Sequence, residues 1–209
     1  MIKIYGYQLS QATMRVRIAL NLKGMAFEEE FLDLLKGDQF DATFVAINPQ
    51  HVVPAVVIEG VDIALFQSMA ILEYLEETWP SPPLLPEDSV ARARVRGLAQ
   101  TIVSDTHRAS VPATRKYLTD TLGHSDVELR DWVHNWAGKG LQAIETRLAN
   151  DGYAGRYCHG DGPTFADICL FPQIIGARRY SVPLEPYPRI IDIFERCMED
   201  KAFVDAVPE

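Results

Sequence analysis

Residues 79–87 read Trp79-Pro80-Ser81-Pro82-Pro83-Leu84-Leu85-Pro86-Glu87. Each proline removes a backbone donor and pushes the residue before it out of the helical region, so the stretch neither continues a helix nor enters the interior of a sheet. It reads as a linker over 81–87, and the patterning differs on its two sides. Before it, short apolar runs alternate with helical stretches. Met1–Tyr7 and Phe27–Leu32 read as strands, Ala12–Lys23 as a helix, Pro54–Gly60 and Asp62–Phe66 as a hairpin turned at Glu59-Gly60, and Ser68–Glu77 as a second helix. A βαβ unit followed by ββα is the order of a thioredoxin-like domain. After the linker, Val95, Leu98, Ala99 and Ile102 recur at helical spacing, as do Leu129, Trp132, Val133 and Trp136, continuing through Leu141, Ile144 and Leu148. Ser125 with Glu128 and Thr164 with Asp167 have the form of capping boxes at helix starts. The expected fold is α/β plus all-α: an N-terminal thioredoxin-like domain over 1–80, then a C-terminal helical bundle domain over 88–209.

Composition narrows the function. In a chain of 209 residues, 47% hydrophobic and 23% charged content is the balance of a globular protein. Twenty Lys and Arg against 29 Asp and Glu leave a formal net charge of −9, which repels a phosphate backbone, so nucleic acid is not expected as a partner. No apolar run approaches the roughly 18 residues of a membrane helix, and the first residues lack the basic and apolar regions of a signal peptide. No membrane partner and a cytoplasmic location are expected. The cysteines, Cys158, Cys169 and Cys197, lack CxxC spacing, so neither a disulfide framework nor a metal site is indicated.

Several residues stand where chemistry is favoured. Ser10 lies between the first strand and the first helix, where free N–H groups and the helix dipole welcome an anion. Its hydroxyl either caps the helix or donates to a thiolate, and the pattern leaves both open. Val53-Pro54 precedes a strand; a trans turn and a cis bond that exposes backbone groups to an extended peptide are both open. Gln67-Ser68 opens the last helix of the first half, where a carboxylate can be received or the helix simply capped. His124, His134 and His159 have no metal-ligand spacing, and adjacency of Cys158 and His159 does not make a nucleophile and base. Trp132 and Trp136 share a helical face and read as core, and Asp167 as a capping residue of a buried helix.

Taken in order, MRVRIALNLKG (14–24), NPQHVVPAVV (48–57), LFQSMAILEYLEE (65–77), the Pro-rich linker and GDGPTFADICLFPQ (160–173) resemble the glutathione transferase superfamily, and within it the zeta class with its maleylacetoacetate and maleylpyruvate isomerases. Asp105-Thr106-His107 and the segment 177–190, ARRYSVPLEPYPRI, look most like the maleylpyruvate branch. The resemblance implies glutathione as cofactor and a homodimer joining the first domain of one chain to the helical domain of the other, with Phe66-Gln67 and Arg92, Arg94 and Arg96 as candidate contacts. It implies that Ser10 hydrogen-bonds the glutathione sulfur and that the Val53 backbone, beside a cis Pro54, pairs with the cysteinyl part. Gln67 and Ser68 would hold the γ-glutamyl group, Gln39 and Gln50 the glycine end or peptide backbone, and His107 would reach the tripeptide from the helical domain.

The chain departs from the zeta pattern at the first helix. Leu9-Ser10-Gln11-Ala12 stands where zeta members carry an Arg-Ser-Ser-Cys type motif, so Leu9 and Gln11 line the second substrate's site without arginine or cysteine. Val111-Pro112-Ala113 replaces a basic pair, while Arg108 and Arg115 are new neighbours and Arg178 and Arg179 survive; Arg108, Arg178 and Arg179 are the candidate cations for a carboxylated electrophile. The expected activity is that of a glutathione-dependent transferase or cis–trans isomerase acting on a small electrophile. The alternatives are a maleylpyruvate or maleylacetoacetate isomerase proper, a glutathione lyase or etherase, and a noncatalytic glutathione-binding protein. With fewer cations, dicarboxylates are expected to be poor substrates.

Overall fold

The computed structural model describes residues 1–208. The chain forms two compact units, Met1–Leu84 with the segment from Asp200 onward, and Leu85–Glu199.

The first unit opens with β1 (Ile2–Gly6), whose alternate residues Ile2 and Ile4 are buried, as period-two patterning requires of a strand covered on one face. α1 (Gln11–Leu22) follows, then β2 (Glu28–Phe31), α2 (Ala42–Ile47), β3 (Ala55–Ile58), β4 (Leu65–Phe66) and α3 (Ser68–Thr78). The sheet order is β2-β1-β3-β4, with β1 parallel to β2 and the other pairs antiparallel. This is the thioredoxin-like βαβ and ββα arrangement. β2 pairs only with β1 and reads Glu-Glu-Glu-Phe, a charged edge that discourages pairing with other chains. Two local expectations need correction. β4 pairs only Leu65 and Phe66, because Asp62 and Ile63 face water with no strand beside them, so the hairpin connection is longer than a turn at Glu59-Gly60. α2 was not anticipated.

α1 is buried from Thr13 to Leu20, including Arg15 and Arg17. It packs against α3, with Val16, Ile18, Ile71 and Leu72 fully inside. Lys23 Nζ donates to Glu76 Oε2 (2.9 Å) and to the carbonyls of Trp79 (2.6 Å) and Pro82 (3.0 Å), and the Glu76 carboxylate accepts the Leu84 amide. The start of the Pro-rich stretch is thereby held on the first unit.

The second unit contains α4 (Ser89–Gln100), a π-helical segment (Thr101–Thr106), a 3-10 turn (His107–Ser110), α5 (Pro112–Lys116), a π-helical turn (Tyr117–Thr121), α6 (Asp126–Asn150), α7 (Phe165–Arg179) and α8 (Pro188–Cys197). Among its described residues there is no strand, only an isolated bridge between Ala154 and Gly160. Both capping boxes form: Ser125 with Glu128, and Thr164 with Asp167. Gly140 lets the π-helical segment cross α6 closely, since a Cβ there would collide with the Thr106 hydroxyl. The arginine row on α4 is not a uniform solvated face. Arg94 turns inward, donating to Asp151 Oδ2 (3.0 Å) and the Cys158 carbonyl (2.9 Å).

The tail departs from expectation. The residues from Asp200 onward, read as the end of the helical domain, pack with the first unit: α9 (Lys201–Val204) lies on α1, with Phe203 fully buried and Asn21 Nδ2 donating to the Ala202 carbonyl at 2.9 Å.

Candidate active site

The first unit gathers polar groups at the N-termini of α1 and α3. Ser10 is the N-cap of α1 in extended conformation, and its Oγ accepts the Thr13 amide at 3.1 Å. Accepting that bond uses a lone pair and leaves the hydroxyl proton to donate elsewhere, so capping and thiolate recognition are compatible roles of one oxygen. Leu9 beside it is exposed, and Gln11, first residue of α1, keeps Oε1 buried without a hydrogen-bond partner among the described residues.

The 48–54 loop is shaped by Asn48, a buried residue missed at the sequence level although Asn-Pro marks a turn. Its Nδ2 donates to the Val52 carbonyl (2.8 Å) and its Oδ1 accepts the Gln50 amide (3.1 Å). The Val53–Pro54 bond is cis, which decides the alternative left open above. His51 sits in the left-handed region at φ 57°, with Nδ1 3.3 Å from the Gln39 carbonyl and its ring against Phe40. Gln39 Nε2 donates to the Leu34 carbonyl at 3.4 Å, and its buried Oε1 finds no partner among the described residues.

Gln67 Nε2 donates to Gln50 Oε1 at 2.8 Å, joining two of the expected residues directly. Gln67 adopts φ 65°, and Ser68, the first residue of α3, is buried with Oγ accepting Arg15 Nη1 at 3.1 Å. Arg15 was not assigned a role from sequence. Its partner lies 53 positions away, beyond any local pattern. Ser10, Gln39, Gln50, Val53, Pro54, Gln67 and Ser68 thus all belong to the first unit. Together with Arg15 they combine two helix N-termini, a buried guanidinium and amide side chains, a donor set suited to an anionic peptide.

In the second unit, His107 and Arg108 lie in the 3-10 turn, Arg108 exposed. Arg115 Nε donates to the Ser110 carbonyl (3.0 Å) while its guanidinium lies 5.1 Å over the Tyr180 ring, and His134 Nε2 meets the Tyr180 carbonyl at 2.8 Å. The turn around Arg108 and the end of α7, with Arg179 beside Tyr180, are therefore drawn together. Arg178 is directed differently: it pairs with Glu195 (3.3 Å) and stacks on Phe194 of α8. Trp132 and Trp136, expected in the core, are both partly exposed, and Trp132 Nε1 donates to the Ala109 carbonyl at 2.9 Å. Cys158 is fully buried, where desolvation and the Asp167 carboxylate push its thiol up and disfavour the thiolate.

A thioredoxin-like unit with a serine at the start of its first helix, followed by an all-helical unit, defines the class of two-part thiol-binding transferases. Residues 1–77 match the glutathione S-transferase N-terminal domain and residues 137–196 the C-terminal domain of the same family. A maleylpyruvate isomerase from Ralstonia sp. is 42% identical over 99% of this chain and 96% of its own. The solved holo structure of a maleyl pyruvate isomerase, a bacterial zeta-class glutathione S-transferase, superposes with TM-score 0.95 at 42% identity, covering 99% of this chain and 96% of the other. The maleylacetoacetate isomerase from Methylobacterium extorquens AM1, solved with malonate and glutathione, gives TM-score 0.95 at 45% identity with the same coverage. The chain belongs to the glutathione S-transferase family, and its structural neighbours include zeta-class members of it.

Proposed function

We propose that the chain is a zeta-type glutathione-dependent cis–trans isomerase or transferase acting on a small carboxylated electrophile. The observation that carries this reading is Ser10: its oxygen is held by the Thr13 amide while its proton remains available at the positive end of α1. The site also fits an extended peptide, since the buried Oε1 atoms of Gln11 and Gln39 stand without partners among the described residues and suit N–H donors. Ser68 and Gln67, at the start of α3, are assigned the γ-glutamyl carboxylate, with Arg15 behind Ser68 reinforcing the positive potential. Gln50, oriented by Gln67, and Gln39 are assigned the glycyl end, and Val53 beside Pro54 the cysteinyl backbone.

Bound glutathione supplies a thiolate able to add to an activated double bond or to displace a leaving group. A free thiol near pKa 8.5 is mostly protonated at pH 7, so the task of Ser10 and the α1 N-terminus is to favour the anion. Arg108 and Arg179 make no ion pair among the described residues and are assigned the electrophile's carboxylate, with His107 beside them. Domain limits near 81–87, a homodimer and a cytoplasmic location belong to the same proposal. Among the described residues no helix is long and apolar enough to cross a membrane.

Turnover of maleylpyruvate, maleylacetoacetate and a chlorinated nitroarene with glutathione, measured beside glutathione affinity by calorimetry, tests the proposal. Turnover of at least one electrophile that falls on Ser10→Ala supports it. Tight glutathione binding without any turnover would instead indicate a noncatalytic binding protein.

A further inference from the structure

The position of the Ser10 hydroxyl depends on a short connection, Tyr7-Gln8-Leu9-Ser10, between β1 and α1, exposed at Gln8 and Leu9. Two side chains one helical turn apart on α1 hold successive backbone groups of that connection. Thr13 Oγ1 accepts the Tyr7 amide at 3.4 Å, and the same residue's amide donates to Ser10 Oγ. Arg17 Nη1 reaches the Gln8 carbonyl at 3.5 Å and the Ala206 carbonyl at 3.2 Å.

Arg17 is itself fixed. Nε donates to Glu29 Oε2 at 2.7 Å and Nη2 to Glu29 Oε1 at 2.6 Å, a bidentate pair almost wholly shielded from water. With Nε and Nη2 on the carboxylate, Nη1 is the nitrogen left to meet the two carbonyls, one from the loop and one from the C-terminal segment. Gly6 closes the cluster: a Cβ there would run into both the Glu29 carboxylate and the Thr13 methyl, so the end of β1, Thr13 and the ion pair interlock. The paired charges of Arg17 and Glu29 largely cancel at a distance, so what the cluster delivers to the loop is placement. Arg17 with its planar fork can hold Glu29 and two carbonyls at once; an ammonium cannot reproduce that geometry.

We propose that Thr13 and Arg17 are positioning residues for thiolate recognition, holding Tyr7–Ser10 so that the Ser10 hydroxyl is aimed at the bound sulfur, with Glu29 and the Ala206 carbonyl fixing the guanidinium. The inference rests on the assignment of Ser10 to the glutathione sulfur made above.

The decisive readout is the ionisation of glutathione in its binary complex, followed by thiolate absorbance near 240 nm across pH, beside calorimetric affinity for S-methylglutathione, which has no thiol to ionise. Ser10→Ala, Thr13→Val, Thr13→Ser and Arg17→Lys are compared with the unaltered chain. Thr13→Val and Arg17→Lys are expected to leave about three- to tenfold less thiolate at pH 7, with Thr13→Ser restoring it and S-methylglutathione affinity changing less than about twofold. Ser10→Ala losing thiolate while Thr13→Val and Arg17→Lys titrate like the unaltered chain overturns the inference and keeps the reading of Ser10. Ser10→Ala titrating like the unaltered chain overturns both. Because Thr13→Val and Thr13→Ser leave the buried ion pair intact, they test the inference independently of any loss of folding in Arg17→Lys.

Discussion

Arg15 Nη1 donates to Ser68 Oγ at 3.1 Å, joining the interior of α1 to the first residue of α3. A serine oxygen that accepts from a guanidinium has its own proton free to donate, and Ser68 stands at a helix N-terminus. Ser68→Ala removes a hydrogen bond to a charged group, about 1.5–3 kcal/mol, and should weaken glutathione binding roughly tenfold or more. It also leaves the buried Arg15 with one acceptor fewer, so a fall in unfolding free energy of about 1–3 kcal/mol is expected with it. Calorimetry at a temperature where the variant is folded separates the two effects; unchanged affinity removes Ser68 from the site.

Asp167 serves the helical unit. Buried completely, it accepts the Cys158 amide (2.7 Å), the Thr164 amide (2.8 Å) and the Thr164 hydroxyl (2.8 Å). Burial pushes its carboxyl up, against the pull of these donors. Asp167→Ala strands three interior donors, each worth about 1–3 kcal/mol, and should cost several kcal/mol in a denaturant titration. Loss below about 1 kcal/mol would show that the donors find other partners.

Much of this was legible in the sequence because it is local. Four prolines within Trp79–Glu87 break the chain into two patterns, and Ser125-x-x-Glu128 announces the start of α6 as surely as the structure does. Ser10 was readable because a helix start is a local event. What escaped is either too short to carry a period or too distant to leave one. α2 spans Ala42–Ile47 and buries only Phe44. β4 depends on a partner, and Asp62 and Ile63 have none. Arg15 and Arg17 look like ordinary helix residues, yet their partners lie at Ser68 and Ala206. Trp132 has the helical spacing of a core residue, but its indole N–H ties α6 to the turn at Ala109.

His159 gives a pH signature. Its ring stacks on Tyr153 and lies 3.5 Å from Arg94 Nη1; burial first, then the Arg94 charge, lowers its pKa from the usual 6.5, while Asp167 and Asp88 oppose the shift. A base whose folded pKa is depressed binds fewer protons folded than unfolded, so its contribution is intact above about pH 6.5 and lost as pH falls toward the folded value. The ring is only partly buried, so the loss is modest. His159→Gln should lower the melting temperature by a constant amount above pH 7 and narrow its gap to the unaltered chain between pH 6.5 and 5. A gap that stays constant over that range refutes the assignment.

Selectivity turns on which cations are uncommitted. Leu9 places an apolar side chain where zeta members carry arginine, and Arg178 is occupied by Glu195 and the Phe194 ring. Arg115 is spent on the Ser110 carbonyl and the Tyr180 ring. Arg108 and Arg179 remain, on segments drawn together around Tyr180, and among the described residues neither has an ion-pair partner. Two arginines can hold a single carboxylate, and with Leu9 apolar and Arg178 paired the second carboxylate of a dicarboxylate is expected to lack a cation of its own. A missing charged partner costs a few kcal/mol, so a dicarboxylate is expected to lose about 10²–10³-fold in kcat/KM relative to an enzyme with both cations. Leu9→Arg should recover part of that loss, raising kcat/KM for maleylpyruvate and leaving its monoester unaffected. Arg108→Ala and Arg179→Ala should both raise KM for every carboxylated electrophile while sparing an uncharged one. Efficient turnover of maleylpyruvate by the unaltered chain, abolished by Arg108→Ala alone, would show instead that Arg108 is the cation on which a dicarboxylate depends.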